Sequence, residues 1–149
     1  MAFAQGSRSS LSFGVQSDFQ TAATAPFTDL PFKTHTLDVT KGRLEGQDIQ
    51  ADRMSRIDRH GNRQAGGSLE VDLRRGDYDP LLEAMMFNTF DANDELKVGT
   101  TPIFLTIEDA ANDIGQFRQF IGMGMNSGTF SIAPEQMVNT TFEFVGRDG

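Results

Sequence analysis

The chain has no cysteine and no tryptophan, one tyrosine and two histidines in 149 residues. Without cysteine there is no disulfide, no thiolate nucleophile and no Cys-ligated metal. His35 lies in a stretch that reads as a strand and His60 beside a turn signal, so neither zinc ligation nor a catalytic triad has its parts. Basic charge is also scarce, with 13 Lys and Arg against 21 Asp and Glu and a formal net charge of -8. That balance opposes nucleic-acid binding by phosphate neutralisation, but suits a surface along which DNA must not stick. No window approaches the length of a transmembrane helix, and MAFAQGSRSSLSFG lacks the apolar stretch of a signal peptide. The expectation is a protein made in a reducing cytoplasm and directed to no membrane.

Phenylalanine and glycine are plentiful, at 13 and 15 residues. Phe has no polar handle, so most of these rings belong in a core or an interface. The length suits one domain with one core. We expect a flexible tail over residues 1–8 and a single domain over 9–149.

Alternating apolar residues predict strands over Ser10–Val15, Phe32–Thr40, Ser68–Arg75 and Pro102–Glu108, then over Ile114–Met125, Gly128–Ala133 and Gln136–Val145. A short strand is expected at Glu95–Val98. In Ile114–Met125 the residues Phe117, Ile121, Met123 and Met125 share one parity. Ser17–Pro31 reads as an irregular arm whose Phe19 and Phe27 pack on something else. Asp79 as N-cap and Pro80 at the first helical position predict one helix over 80–88, with Leu81, Leu82, Met85 and Met86 on its apolar face. The fold class is mainly β: an antiparallel sandwich or barrel with one short flanking helix.

Between these strands lies a long segment, 41–67, with six basic residues (Lys41, Arg43, Arg53, Arg56, Arg59, Arg63) and four acids (Glu45, Asp48, Asp52, Asp58). It has no apolar period. His60-Gly61-Asn62 reads as its tip, joining two extended arms. A loop this long is rarely idle in a compact domain. Its mixed Arg and Asp forks suit contacts that fix register between subunits.

Other candidate chemistry is weak. Asp91–Glu95 lacks the glycine and closing glutamate of a calcium loop. Gly122-Met-Gly124-Met-Asn-Ser-Gly128 has no helix after it to cradle a phosphate, and reads as a bulge or close backbone approach. Arg75-Gly76-Asp77 is a turn. Asp77, Asp79 and Glu83 could serve as paired acid and base, but a helix N-terminus attracts acids without any catalysis. No catalytic, cofactor or metal residues are assigned, and no enzyme is expected.

The stretch IQADRMSRIDRHGNRQAGGSLEVDLRRGDYDPLLEAMM resembles the central region of tail tube proteins, or major tail proteins, of long-tailed bacteriophages. TPIFLTIEDAANDIGQFRQFIGMGMNSGTFSIAPEQMVNTTFEFVGRDG resembles the C-terminal half of the same family, with its "IE" and "IGQ" strands, "NS" turn and closing F-x-F-V-G strand. The likeness covers about residues 9–149. It implies a structural virion protein whose six-membered rings stack into a hollow tube that conducts DNA during ejection, in a flexible tail without a contractile sheath. It also implies a long loop reaching the adjacent ring, where Asp52, Arg53, Arg56, Asp58, Arg59 and Arg63 stand here. Tape measure, tail tip and terminator proteins become expected partners, and the virion tail the expected location. No cofactor is implied. Some relatives carry an extra immunoglobulin-like domain, which this chain is expected to lack. Glu70, Asp72, Arg118 and Glu143 are candidates for bore or interface faces, with the parity facing the bore left open. The alternatives are a small β-barrel binding module for a ligand or peptide, and an acid-base enzyme.

Overall fold

A computed structural model describes residues 8–44 and 59–147. One antiparallel sheet of eight strands forms the body. In chain order these are β1 (Ser9–Val15), β2 (Thr28–Asp29), β3 (Thr34–His35), β4 (Asp38–Leu44), β5 (Arg59–Asp72), then helix α1 (Asp79–Met86), β6 (Phe104–Ala111), β7 (Gln116–Ser131) and β8 (Asn139–Gly146). Across the sheet the order is β2-β1-β6-β7-β8-β5-β3, and β4 also pairs with β5. The sheet is curled: the guanidinium of Arg118 on β7 reaches Asp38 on β4 at 2.7 Å, although β8 and β5 stand between those strands. The mainly β expectation with one short helix holds.

The core lies on one face of this curl. Leu11, Phe13, Leu69, Val71, Leu105, Ile107, Phe120, Met123, Phe142 and Phe144 are buried there. Leu81 and Ala84 of α1 close it from above, and Met85 fills the space a side chain at Gly128 would need. The one tyrosine, Tyr78, is buried at the entry to α1 and donates its hydroxyl to the carbonyl of Pro31 at 2.7 Å. A buried phenol keeps such a partner because an unpaired hydroxyl in an apolar setting is costly.

Several boundaries differ from the sequence reading, each for a local reason. Tyr78, not Asp79, is the N-cap: its carbonyl accepts from Leu81 and Leu82, and Asp79 is already helical. No strand forms at Glu95–Val98. Asp91 instead accepts the amides of Asn93 and Glu95 through its side chain, which turns the chain. The expected strands Ile114–Met125 and Gly128–Ala133 are one continuous strand of 16 residues. Its register slips opposite Leu105–Ile107 and again between Met125 and Ser127. The first slip is a bulge at Ile121-Gly122, with Gly122 at φ 68°, a backbone state that favours glycine. A bulge inverts the inward parity. Phe120 is therefore buried while Phe117, expected inside, is 64% exposed.

The arm Ser17–Pro31 was expected to pack its Phe rings elsewhere, yet Phe19 and Phe27 fold back on the same sheet. Phe19 stacks against Phe104 at 4.9 Å, Phe27 lies against Gly14, and the amide of Ala23 donates to Thr106 Oγ1 at 2.9 Å. Gln16 fastens this arm. Its side-chain amide donates to the Thr21 carbonyl at 2.6 Å and its oxygen accepts the buried Gly122 amide at 2.9 Å.

Candidate assembly surface

The described ends of the long charged segment, 41–44 and 59–67, belong to two antiparallel strands, β4 and β5. β3 and β4 run as one interrupted strand along β5, from Thr34 opposite Glu70 to Leu44 opposite Arg59. The interruption falls where β5 presses closest: a Cβ on Gly67 would lie 2.5 Å from the Thr36 carbonyl oxygen. His60-Gly61-Asn62 is therefore not a tip. It lies inside β5, where Gly61 faces Gly42 across the ribbon. Asp52, Arg53, Arg56 and Asp58 lie outside the described residues. Arg59 and Arg63 are on β5, exposed, with Lys41 and Arg43 on the facing strand.

This pair of strands outruns the sheet. β8 stops at Gly146, opposite Ala65, so residues 59–64 pair with β4 and not with β8. Six residues of strand project roughly 20 Å. Every residue from Thr40 to Leu44 is exposed, and from 59 to 64 only Gly61 is partly covered. A two-stranded ribbon with water on both faces has little to hold it, because an isolated hairpin is marginal at best. Ordinary globular packing gives no reason to extend it.

The second feature is the sheet face opposite the core. Over β1, β6 and the bulge of β7 this face is covered by the 16–27 arm. Over β3, β5, β8 and the second half of β7 it is open and polar. Glu70 accepts Asn139 Nδ2 at 2.6 Å and Thr34 Oγ1 at 3.4 Å, and Lys33 stands 3.5 Å from both Glu70 and Asp72. Thr36 and Ser68 share a hydrogen bond of 3.0 Å, and Ser127 donates to Glu143 at 2.7 Å. The Asn139 hydrogen bond, helped by Lys33, holds the Glu70 carboxyl below its ordinary range. Asp38 is likewise lowered, first by the Val39 amide and then by Arg118.

Glu70, Asp72 and Glu143 thus share one hydroxyl-rich wall. Arg118 does not: it has the inward parity of Phe120, stands 5.1 Å over that ring, and pairs with Asp38. Of the carboxylates weighed for acid-base work, Glu83 instead accepts the Phe90 amide at 2.9 Å and so fastens the loop after α1. Among the described residues no cluster of three or more His, Asp or Glu is arranged to hold a metal, and no helix is long and apolar enough to cross a membrane. Sequence reasoning missed Gln16 entirely. A lone glutamine after a strand carries no signal until the strand it reaches is known.

A family model described as phage tail tube protein matches residues 6–149. The chain belongs to the phage tail tube protein family. As a tail tube protein it is a structural component of the virion tail. Comparison with curated proteins finds no match. Among solved structures it is similar to a chain from the tail of the empty gene transfer agent (GTA) particle, refined helically with C6 symmetry. The TM-score there is 0.62 at 9% identity, covering 97% of this chain and 95% of that one. A chain from the virion of the native GTA particle gives 0.60 at 10% identity, with the same coverage. A chain from the six-fold symmetrised baseplate of the anti-feeding prophage (AFP) gives 0.54 at 12%, covering 99% and 94%. At such identities the likeness speaks for a shared fold.

Proposed function

We propose that this tail tube protein assembles with copies of itself into hexameric rings that stack into a hollow tube, and that DNA leaves the capsid through the bore. The observation that carries the reading is the ribbon of β4 and β5, extended past its own sheet and exposed on both faces. Such an arm gains its packing from a neighbour. The six-fold symmetry of the GTA tail and AFP baseplate structures, whose chains share this fold, supports the ring number. Open sheet borders support ring closure: β4 pairs only with β5 among the described strands, and β2 covers β1 at just two positions. An open border invites another strand, and closed rotational symmetry satisfies it.

The polar face with Glu70, Asp72 and Glu143 is our proposed bore wall. The carboxylates repel DNA phosphates, and Lys33 beside them is already paired with Glu70 and Asp72. Arg59 and Arg63, with Asp52, Arg53, Arg56 and Asp58, belong to the segment that would reach the next ring. Residues 9–149 act as one tube domain behind the tail 1–8, and its role is structural rather than catalytic. On the sequence resemblance we assign it to long, sheathless tails, where tape measure, tail tip and terminator proteins meet the tube. Negative-stain images of the purified chain test this. Hollow tubes of uniform width at high concentration are expected, and a monodisperse monomer under the same conditions contradicts the proposal.

A further inference from the structure

At the end of the sheet away from the ribbon, the apolar row of the core face runs out beyond its cover. Gly128 and Phe142 face each other beneath Met85 of α1. One pleat further Phe130 is 41% exposed, and Ile132 beyond it is 78% exposed. The turn that returns to β8 adds Met137, 62% exposed, and is held beside β5 by the Leu73 amide on the Val138 carbonyl at 2.8 Å. Three large apolar side chains at one hairpin end make a patch that a solitary soluble domain has no reason to display. Exposed carboxylates at this end are Glu135 and Asp77, beside Arg74 and Arg75.

The opposite end has the matching chemistry. The ribbon carries Lys41, Arg43, Arg59 and Arg63, with Arg147 alongside, and its last described pair, Leu44 and Arg59, sets an aliphatic residue that is 61% exposed beside a cation. Because β5 spans the sheet from Arg59 to Asp72, the ribbon and the Phe130–Met137 patch stand at its two ends. A translation along β5 then brings the ribbon of one copy onto the patch of the next.

We infer that the patch of Phe130, Ile132 and Met137, rimmed by Glu135, is the seat on which the β4–β5 ribbon of a second copy docks, with Leu44 against the apolar residues and Lys41 or Arg59 beside the acid. The contact is heterologous, so it does not close on itself and propagates as a stack. It rests on the stacked-ring reading and names its receiving surface. The apolar centre supplies the area removed from water, and the Glu135 contact sets register.

The absence of native cysteine makes a cross-linking test clean. The full chain carrying Leu44→Cys and Met137→Cys together is assembled, oxidised and run on a denaturing, non-reducing gel. The inference expects a ladder of dimers, trimers and longer species that collapses on reduction. Leu44→Cys with Phe117→Cys, whose exposed ring lies at the start of β7, is expected to stay monomeric on the gel. Tubes in the micrographs without a ladder from the 44/137 chain overturn the docking seat and leave the tube reading standing. No tubes at any concentration, in wild type as well, overturn both. As a second readout, Ile132→Glu with Met137→Glu should keep the wild-type melting temperature and circular dichroism yet shorten tubes at least tenfold. Full-length tubes from that variant also overturn the seat.

Discussion

Gln16→Ala removes one side chain that fastens two otherwise separate parts of the molecule. Gln16 is 8% exposed. Its oxygen is the acceptor for the buried Gly122 amide, and Gly122 sits in the bulge that sets which residues of β7 face inward. Truncation strands that N–H. A buried donor without a partner costs about 1–3 kcal/mol. The Thr21 carbonyl, on an exposed residue, regains water and adds little. The expected loss is therefore about 2 kcal/mol, or a melting temperature lower by roughly 4–8 °C for a domain of this size. Gln16→Glu distinguishes the two bonds. A carboxylate still accepts from Gly122 but cannot donate to Thr21, and it places buried charge against a carbonyl oxygen. That variant should be destabilised at neutral pH and recover partly on acidification. Urea unfolding of protein kept too dilute to polymerise measures both, with an unchanged slope confirming that stability alone moved. A Gln16→Ala variant within 0.5 kcal/mol of wild type refutes the reasoning, because the bulge would then not depend on this acceptor.

Burial pushes the Tyr78 phenol above its ordinary pKa, so the folded state holds that proton more tightly than the unfolded one. The stability it contributes is full below the unfolded value of about 10 and is lost as pH rises towards the folded value. Tyr78→Phe should cost about 1 kcal/mol at neutral pH through the lost Pro31 bond and lose less stability than wild type in alkaline titrations of the melting temperature. The lowered Glu70 pKa has the opposite sign: its contribution is present above the ordinary carboxylate range and disappears as pH falls through the folded value. Glu70→Gln should flatten the acid limb of the same titration; an acid limb identical to wild type contradicts the Asn139 and Lys33 pairing. Replacing residues 45–58 by Asn-Gly should leave melting and circular dichroism near wild type while abolishing tubes, checked by negative stain. Full-length tubes from that variant remove the segment from ring stacking.

Much of the architecture was legible because two periods dominate. Alternation marks β1, β6, β8 and the second half of β5 directly, and Asp79-Pro80 before Leu81 marks α1 to within two residues. Failures came where a long-range partner overrides local pattern. The glycine run at Gly122–Gly128 reads locally as a bulge or close approach, but the position of the slip at Ile121-Gly122 is set by pairing with β6, so parity counted through it placed Phe117 inside. Residues 59–67 read as loop because their side chains are charged, polar, small or absent; what makes them strand is the facing β4 and, from Ala65 on, β8, and the projecting ribbon buries almost nothing that would leave an apolar trace. The polar wall was half legible. Glu70 and Asp72 share a parity by spacing alone, whereas joining Glu143 to them, and separating Arg118, required the register of β5, β8 and β7.

A helical reconstruction of assembled tubes at side-chain resolution tests the central claim most directly. The account predicts the β4–β5 ribbon of each copy lying against the neighbouring ring, with Glu70, Asp72 and Glu143 turned towards the axis. A ribbon folded back on its own subunit, or an axis lined instead by α1, contradicts it.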